Sequence, residues 1–114
     1  PVVCILGDGC FQMTCGELAT AKRLGICLPV VVLDDRWLGL IRVKQERRQF
    51  PIYGTALQEE EYRDPPEHYF GVTAIGARDG DALRAALTDA LGASGPTVIE
   101  AVVDAGHYSD TVFD

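Results

Sequence analysis

The chain has 114 residues, enough to bury one hydrophobic core but few for a complete metabolic enzyme. Hydrophobic residues make up 47% of the sequence, which excludes an intrinsically disordered protein, and no apolar run is long enough to cross a membrane. The net charge of −7 argues against a nucleic acid partner, because phosphate backbones attract clustered cations.

The chain start and the cysteines indicate where the protein works. The sequence begins Pro-Val-Val inside an apolar run, without an initiator methionine or a basic leader, so we expect a piece of a longer cytoplasmic protein. Cys4, Cys10, Cys15 and Cys27 form no CxxC pair and have no histidine nearby, which disfavours zinc and predicts buried free thiols.

The first third of the sequence predicts a strand, a helix and a second strand. Residues 1–6 form an apolar run typical of a strand buried on both faces. Thr14 and Glu17 match a capping box, which predicts a helix that begins there and ends at Gly25. Residues 28–33 form a second apolar run, with a proline tolerated at its start. This alternation is typical of a parallel β-α-β unit.

The middle of the chain predicts a helix and then a long loop. Residues 37–48 can form a helix with Leu38, Ile41 and Gln45 facing inward, and the basic residues near its end are predicted to form a solvated face rather than a binding patch. Residues 50–67 are rich in acidic residues, glycine and proline, which predicts a surface loop.

The last part returns to regular structure. Residues 72–75 and 97–103 are predicted strands, and between them Asp79 can cap an amphipathic helix that Gly92 closes. The alternating elements therefore predict an α/β fold, with a mainly parallel sheet between two layers of helices.

Acidic residues follow both of the first two predicted strands. Asp8 lies between two glycines after the first strand, and Asp34 and Asp35 follow the second. Ligands of such sheets bind beyond the carboxyl ends of the strands, where we expect these carboxylates to meet. Carboxylates so close repel each other unless a cation such as Mg²⁺ lies between them. Since glycines let backbone N–H groups approach phosphate oxygens, the sequence predicts a magnesium-bridged phosphate or diphosphate site.

A longer pattern surrounds these carboxylates. The run GDGCFQM begins at Gly7, ELATA begins at Glu17, and LDDRWLG begins at Leu33. Together they resemble the signature of thiamine-diphosphate-dependent enzymes, in which GDG is followed later by a pair of asparagines, and they are similar to the acetolactate synthase-like branch. The resemblance implies that residues 1–114 form the C-terminal part of a diphosphate-binding domain, with thiamine diphosphate and Mg²⁺ as cofactors.

The resemblance also implies roles for individual residues. Asp8 and Asp35 correspond to side-chain ligands of the magnesium ion, and Trp37 offers its backbone carbonyl as a third ligand. Phe11 and Met13 are either contacts of the cofactor or core residues. The implied cofactor-binding residues are Gly7, Asp8, Gly9, Cys10, Phe11, Met13, Asp35, Trp37, Leu38 and Gly39.

Two positions depart from the family pattern. Asp34 stands where the family typically has asparagine, so its carboxyl must find a donor, such as Arg36 or a backbone N–H group. Ile41 stands where simple 2-keto acid decarboxylases of the family have a glutamate for proton transfer. The apolar residue disfavours that proton relay and suits a carboligase or a related lyase or transferase.

The resemblance implies that this segment works only as part of a larger assembly. The glutamate that activates the cofactor belongs to another domain, usually of a neighbouring subunit, so we assign no catalytic residue here and expect the segment alone to be inactive. The expected substrate is a 2-keto acid and the expected assembly is a homo-oligomer. His68 and His107 lie in polar segments and are not predicted to be catalytic.

Two alternatives stay open at this point. One is a regulatory α/β module whose acidic pocket binds Mg²⁺, although the last strand is followed by Asp104 rather than by the lysine expected of such a module. The other is a degenerate relative that has lost the cofactor, which the aspartate at position 34 would favour.

Overall fold

The computed structural model describes residues 1–57 and 70–108. The strands in this part are β1 (Cys4–Gly7), β2 (Pro29–Asp34), β3 (Thr73–Ala77) and β4 (Thr97–Val102). The helices are α1 (Asp8–Thr14), α2 (Glu17–Arg23), α3 (Gly39–Arg47) and α4 (Gly80–Leu91), followed by a short 3-10 helix (Ala105–His107). The four strands form one sheet in the order β1-β2-β4-β3, and every neighbouring pair is parallel.

Helices cover both faces of this sheet, because successive side chains of a strand point to opposite faces. The core on one face joins the sheet to α1 and α2 and consists of Phe11, Leu18, Val30, Val32, Val72 and Val98. The core on the other face joins the sheet to α4 and consists of Val31, Ala77, Ala86, Ala90, Ile99 and Ala101. The predicted α/β architecture with two helical layers is confirmed.

The first helix begins earlier than the sequence predicts. Helix α1 starts at Asp8, directly after β1, and Thr14 lies in its last turn, where the hydroxyl donates to the Cys10 carbonyl over 3.2 Å. The predicted capping box is therefore wrong: α2 begins after Gly16, and no side chain caps it. Glycine generally disfavours a helix, but the packing of Phe11 into the core stabilises a helical turn there.

The predicted ends of two helices are confirmed. Gly25 has a positive φ of 61° and follows α2, where its N–H donates to the Lys22 carbonyl over 3.0 Å. This left-handed conformation suits glycine because it has no Cβ. At the start of α4, the Asp79 carboxylate accepts from the Ala82 N–H over 2.8 Å.

The orientation predicted for α3 is wrong at one position. Val43 is the buried residue of this helix, whereas Ile41 is 50% exposed. The helix is largely polar, so its sequence carried little information about which face lies inward. Its basic residues are largely exposed, as predicted, and the part of the 50–67 segment that the structure describes contains no helix or strand.

The cysteine prediction is confirmed only in part. All four are free thiols, but none is fully buried: Cys4 and Cys15 are half-buried, and Cys10 and Cys27 are exposed. Across residues 1–57 and 70–108, no helix has the length and apolar character needed to cross a membrane.

Candidate functional site

The sheet register brings the two acidic segments to the same edge. Gly7, the last residue of β1, lies opposite Leu33 in β2, so Asp8 and Asp34 continue from neighbouring strands at the same level. Asp35 follows one residue later. All three carboxylates are at most 8% exposed.

A cavity of about 530 Å³ opens beside these strand ends. Its lining residues are Gly7, Asp8, Gly9, Cys10, Met13, Leu33, Asp35, Trp37, Leu38, Gly39, Leu40, Ile41, Val43 and Tyr108. Nine of the ten residues implied by the family resemblance are among them. Phe11 is the exception, because it lies in the core under α1, while Met13 is 78% exposed at the cavity.

Backbone amides hold the three carboxylates in place. Asp8 accepts from the Gly9 N–H over 2.8 Å and from the Arg36 N–H over 2.9 Å. The same Arg36 N–H also reaches Asp34 Oδ1 over 3.0 Å, and Asp35 Oδ1 accepts from the Trp37 N–H over 2.8 Å. The donor that an aspartate at position 34 needs is therefore a backbone N–H group. Arg36 has a positive φ of 67°, an uncommon conformation for a residue other than glycine.

Burial and mutual repulsion make some of these carboxyl groups hard to ionise. Burial, together with a hydrogen bond to the Asp34 carboxyl, raises the pKa of Asp8 to about 6. Burial and the charges of Asp34 and Asp8 raise the pKa of Glu100, in β4, to about 7. Its Oε2 atom is buried and has no hydrogen-bond partner among the described residues. The strand ends therefore form a cluster of carboxyl groups whose ionised forms a cation would stabilise.

The segment after Asp35 is held by a short strap, defined here as residues 55–57. Trp37 forms an antiparallel bridge with Ala56, flanked by hydrogen bonds from the Leu38 N–H to the Thr55 carbonyl (2.8 Å) and from the Leu57 N–H to the Arg36 carbonyl (2.9 Å). In this pairing the backbone groups of Trp37 itself face away from the strap. Its N–H does so and reaches Asp35.

The Trp37 side chain is held from the other side by α3. The Arg42 guanidinium lies 4.0 Å from the centre of the indole ring and also pairs with Glu46 over 3.0 Å. A guanidinium stacked on an indole contributes about 0.5–1 kcal/mol at exposed sites. The strap and the Arg42 guanidinium together restrict the movement of Trp37 at the cavity.

Gly39, the first residue of α3, is packed against the site. A Cβ at this position would lie 2.7 Å from Asp35 Oδ2 and 2.8 Å from a ring carbon of Tyr108. Only glycine leaves room for both groups. We therefore expect Gly39→Ala to lower the free energy of unfolding by about 1–3 kcal/mol, as overpacking usually does.

Chemical denaturation of the metal-free protein measures this effect. Gly80→Ala is the matched control, since a Cβ at Gly80 would meet nothing within 4 Å. The control is expected to keep or slightly raise stability, because alanine favours helix formation. Equal stability of the two variants would contradict the packing described here.

The site contains residues that sequence reasoning missed. Tyr108 reaches the cavity from the segment after β4, and burial and the Asp35 carboxylate raise the pKa of its hydroxyl. Glu100 was read only as part of an apolar strand. His107 is exposed beside Asp104 and does not line the cavity, and His68 lies outside the described residues.

Comparisons with known proteins agree with this geometry. Residues 1–101 match the family model of the thiamine pyrophosphate enzyme, C-terminal TPP binding domain. The chain is 32% identical over 108 residues to the acetolactate synthase isozyme 2 large subunit of Escherichia coli K12, covering 90% of this chain and 19% of that protein. It is 30% identical over 105 residues to acetolactate synthase of Arthrospira platensis, covering 87% of this chain and 17% of that protein.

A solved structure has the same fold. Benzoylformate decarboxylase from Polynucleobacter necessarius superposes with a TM-score of 0.79 at 25% identity, over 92% of this chain and 20% of that one. The chain thus spans about a fifth of the length of the relatives it matches.

These matches and the cavity at the strand ends identify the class of protein. The chain belongs to the family of thiamine pyrophosphate enzymes, as their C-terminal domain that binds thiamine pyrophosphate, which is the same compound as thiamine diphosphate. Within that family it is a member of the acetolactate synthase-like branch. The match does not support a regulatory module of another fold.

Proposed function

We propose that residues 1–114 are the C-terminal part of the domain that holds the diphosphate of thiamine diphosphate through Mg²⁺. Asp8 and Asp35 supply side-chain ligands, and the backbone carbonyl of Trp37 supplies a third. The observation that carries this proposal is that Asp8 and Asp35 leave neighbouring strand ends and line one cavity. The orientation of Trp37 supports the third ligand, because its backbone faces away from the strap.

The proposed donor set fits a magnesium ion that also binds the diphosphate. Within residues 1–57 and 70–108, no group of three or more histidine, cysteine or carboxylate side chains could hold a metal. Two carboxylates and a carbonyl leave an octahedral ion incomplete, and Mg²⁺ is commonly completed by substrate phosphates and water. Metal and diphosphate are therefore expected to bind together.

The glycines of the site favour the approach of a phosphate. Gly9 lies close to Leu38, since a Cβ there would come within 2.9 Å of its Cδ2 atom, and Gly39 has no room for a side chain. The backbone N–H groups around these glycines, and those of Cys10 and Leu38, are the proposed contacts of the diphosphate oxygens. Gly7 and Met13 line the cavity beside them, whereas a contact of Phe11 would require a rearrangement of the core.

The reaction proposed for the complete protein is a carboligation or related lyase step on a small 2-keto acid, like that of an acetolactate synthase. Bound thiamine diphosphate supplies the reactive carbon for such reactions. In this chain, the metal ligands would orient the cofactor, and the apolar side chains of Leu40 and Ile41 line the cavity beside it. Neither can relay a proton, which favours a carboligase over a simple decarboxylase. Catalytic groups come from another domain or subunit, in a homo-oligomer that we expect to be cytoplasmic.

Calorimetric titration of thiamine diphosphate into the full-length protein tests this proposal. We expect binding in the presence of Mg²⁺ and none after chelation with EDTA, because the two carboxylates would repel the diphosphate without a cation. Thiamine without its phosphates is the control and should bind poorly in both conditions. No binding at millimolar cofactor with Mg²⁺ present would contradict the proposal and favour the degenerate, cofactor-free relative.

A further inference from the structure

Tyr108 reaches the cavity through a turn that the structure specifies closely. The Val103 N–H donates to the Asp34 carbonyl over 3.0 Å, which ties the end of β4 to the end of β2. Asp104 then caps the 3-10 helix, accepting from the Gly106 N–H over 2.8 Å. Tyr108 follows as the next residue after this helix and lies half-buried against the cavity.

Two contacts place the Tyr108 side chain at Asp35. Burial, the charge of Asp35 and hydrogen bonding to its carboxylate raise the pKa of the Tyr108 hydroxyl. Its ring lies over Gly39, 2.8 Å from where a Cβ would stand, and Asp35 Oδ2 is 2.7 Å from the same point. Because an ionised carboxylate only accepts, the phenol is the donor of this bond.

We propose that Tyr108 is a positioning residue for Asp35, one that fixes the orientation of its carboxylate toward the divalent cation. This inference rests on the proposed function of the site. Asp35 Oδ1 accepts from the Trp37 N–H, and Oδ2 lies with the Tyr108 ring at Gly39, which makes the Tyr108 hydroxyl the second donor in this proposal. A carboxylate has about four lone-pair positions, so two donors restrict its rotation and still leave positions for a metal.

Removal of the Tyr108 hydroxyl is expected to weaken Mg²⁺ binding and to leave the stability of the fold unchanged. Ligating carboxylates are commonly held by outer hydrogen bonds, and loss of such a partner typically weakens metal binding by about 10–100-fold. The proposed diphosphate contacts lie on α1 and at the start of α3, where the Tyr108 ring lies against Gly39. Removal of the hydroxyl should therefore raise the Mg²⁺ concentration needed, with little change in cofactor affinity once Mg²⁺ saturates.

The test compares Tyr108→Phe, which keeps the ring, with Tyr108→Leu, which also removes the ring. The matched control is Tyr53→Phe, because Tyr53 is 86% exposed and away from the cavity. The readout is the dissociation constant of Mg²⁺ in the full-length protein at saturating thiamine diphosphate, measured by calorimetry, with the unfolding temperature of the metal-free protein measured in parallel.

Tyr108→Phe is expected to weaken Mg²⁺ about 10-fold without a change in unfolding temperature, while Tyr53→Phe matches the wild type. Tyr108→Leu should bind Mg²⁺ at least as weakly and also unfold at a lower temperature. Mg²⁺ affinity of Tyr108→Phe within twofold of the wild type, or higher, would overturn the role of Tyr108. Failure of the wild type itself to bind the cofactor with Mg²⁺ would instead overturn the proposed function.

Discussion

Asp8→Ala is expected to weaken the Mg²⁺-dependent binding of thiamine diphosphate by on the order of 100-fold or more. Loss of an outer partner of a metal ligand typically costs about 10–100-fold, and Asp8 is proposed as a direct ligand. The carboxylate lies at the strand end, 8% exposed, and faces the cavity with Asp35. Calorimetric titration of the full-length variant with Mg²⁺ and cofactor measures the loss.

The fold of this variant should survive. Asp8 is buried beside Asp34, so removal of one carboxyl relieves repulsion, and the Arg36 N–H keeps its bond to Asp34. Asp89→Ala is the matched control, since it removes the same charge from an exposed position on α4. Unchanged cofactor affinity in Asp8→Ala, with a folded protein, would show that Asp8 is not a metal ligand.

The raised pKa of Asp8 predicts how binding depends on pH. Mg²⁺ requires the ionised carboxylate and therefore competes with the proton that the metal-free site holds below about pH 6. Apparent Mg²⁺ affinity should thus be constant well above pH 6 and fall as the pH is lowered through it. Titrations at pH 8 and pH 5 provide this comparison.

Glu100→Gln is expected to stabilise the metal-free protein at pH 8 by up to about 3 kcal/mol, the free energy that corresponds to its raised pKa. The pKa of Glu100 rises from an ordinary value of 4.5 to about 7, so the folded state holds a proton that the unfolded state has lost. The contribution of Glu100 to the free energy of unfolding is therefore fully present below pH 4.5 and is lost as the pH rises to about 7. Glutamine cannot ionise, so the variant should lack this loss.

Denaturant unfolding at pH 5 and pH 8 measures the difference. Glu17→Gln is the control, because the same substitution there lies on an exposed helix start and should change stability equally little at both pH values. The two proteins, Glu100→Gln and wild type, should be of similar stability at the lower pH. A variant that loses stability between pH 5 and pH 8 as steeply as the wild type would show that Glu100 is not the group responsible.

The central strands β2 and β4 were predicted well because they are buried on both faces. Such strands read as unbroken apolar runs, and β2 and β4 were located to within one residue at either end. Strand β1 lies at the edge of the sheet, where Ile5 is 66% exposed, so the burial on both faces predicted for residues 1–6 is wrong. The cap at Asp79 and the glycine at position 25 were also readable, since each supplies a local geometry that few other residues provide. The position of both acidic turns followed from the parallel direction of the strands.

What the sequence did not reveal depends on tertiary contacts. The early start of α1 is stabilised by Phe11 in the core, which no local pattern around Asp8 announces. Glu100 looks like one polar residue in an apolar strand, and only the register shows that it lies on the same face as Asp34. Tyr108 follows a short turn without periodicity, so its return to Gly39 could not be anticipated.

The departure at Asp34 acquires a physical meaning from these contacts. An asparagine at this position could donate to Asp8 through its amide group, whereas an aspartate can do so only with a proton. The hydrogen bond between the two carboxyls therefore contributes to the raised pKa of Asp8. Binding of a divalent cation would release that proton, so the proposed magnesium site would be coupled to pH more strongly than one with an amide at position 34.

The turn at Arg36 depends on its backbone amide. One N–H group serves both Asp8 and Asp34, and every residue except proline offers that group. The left-handed backbone there is adopted most readily by glycine or asparagine, which makes the arginine replaceable. A fluorophore attached at this position would leave the shared N–H group beside both carboxylates in place. Its emission could therefore report whether the cofactor is bound.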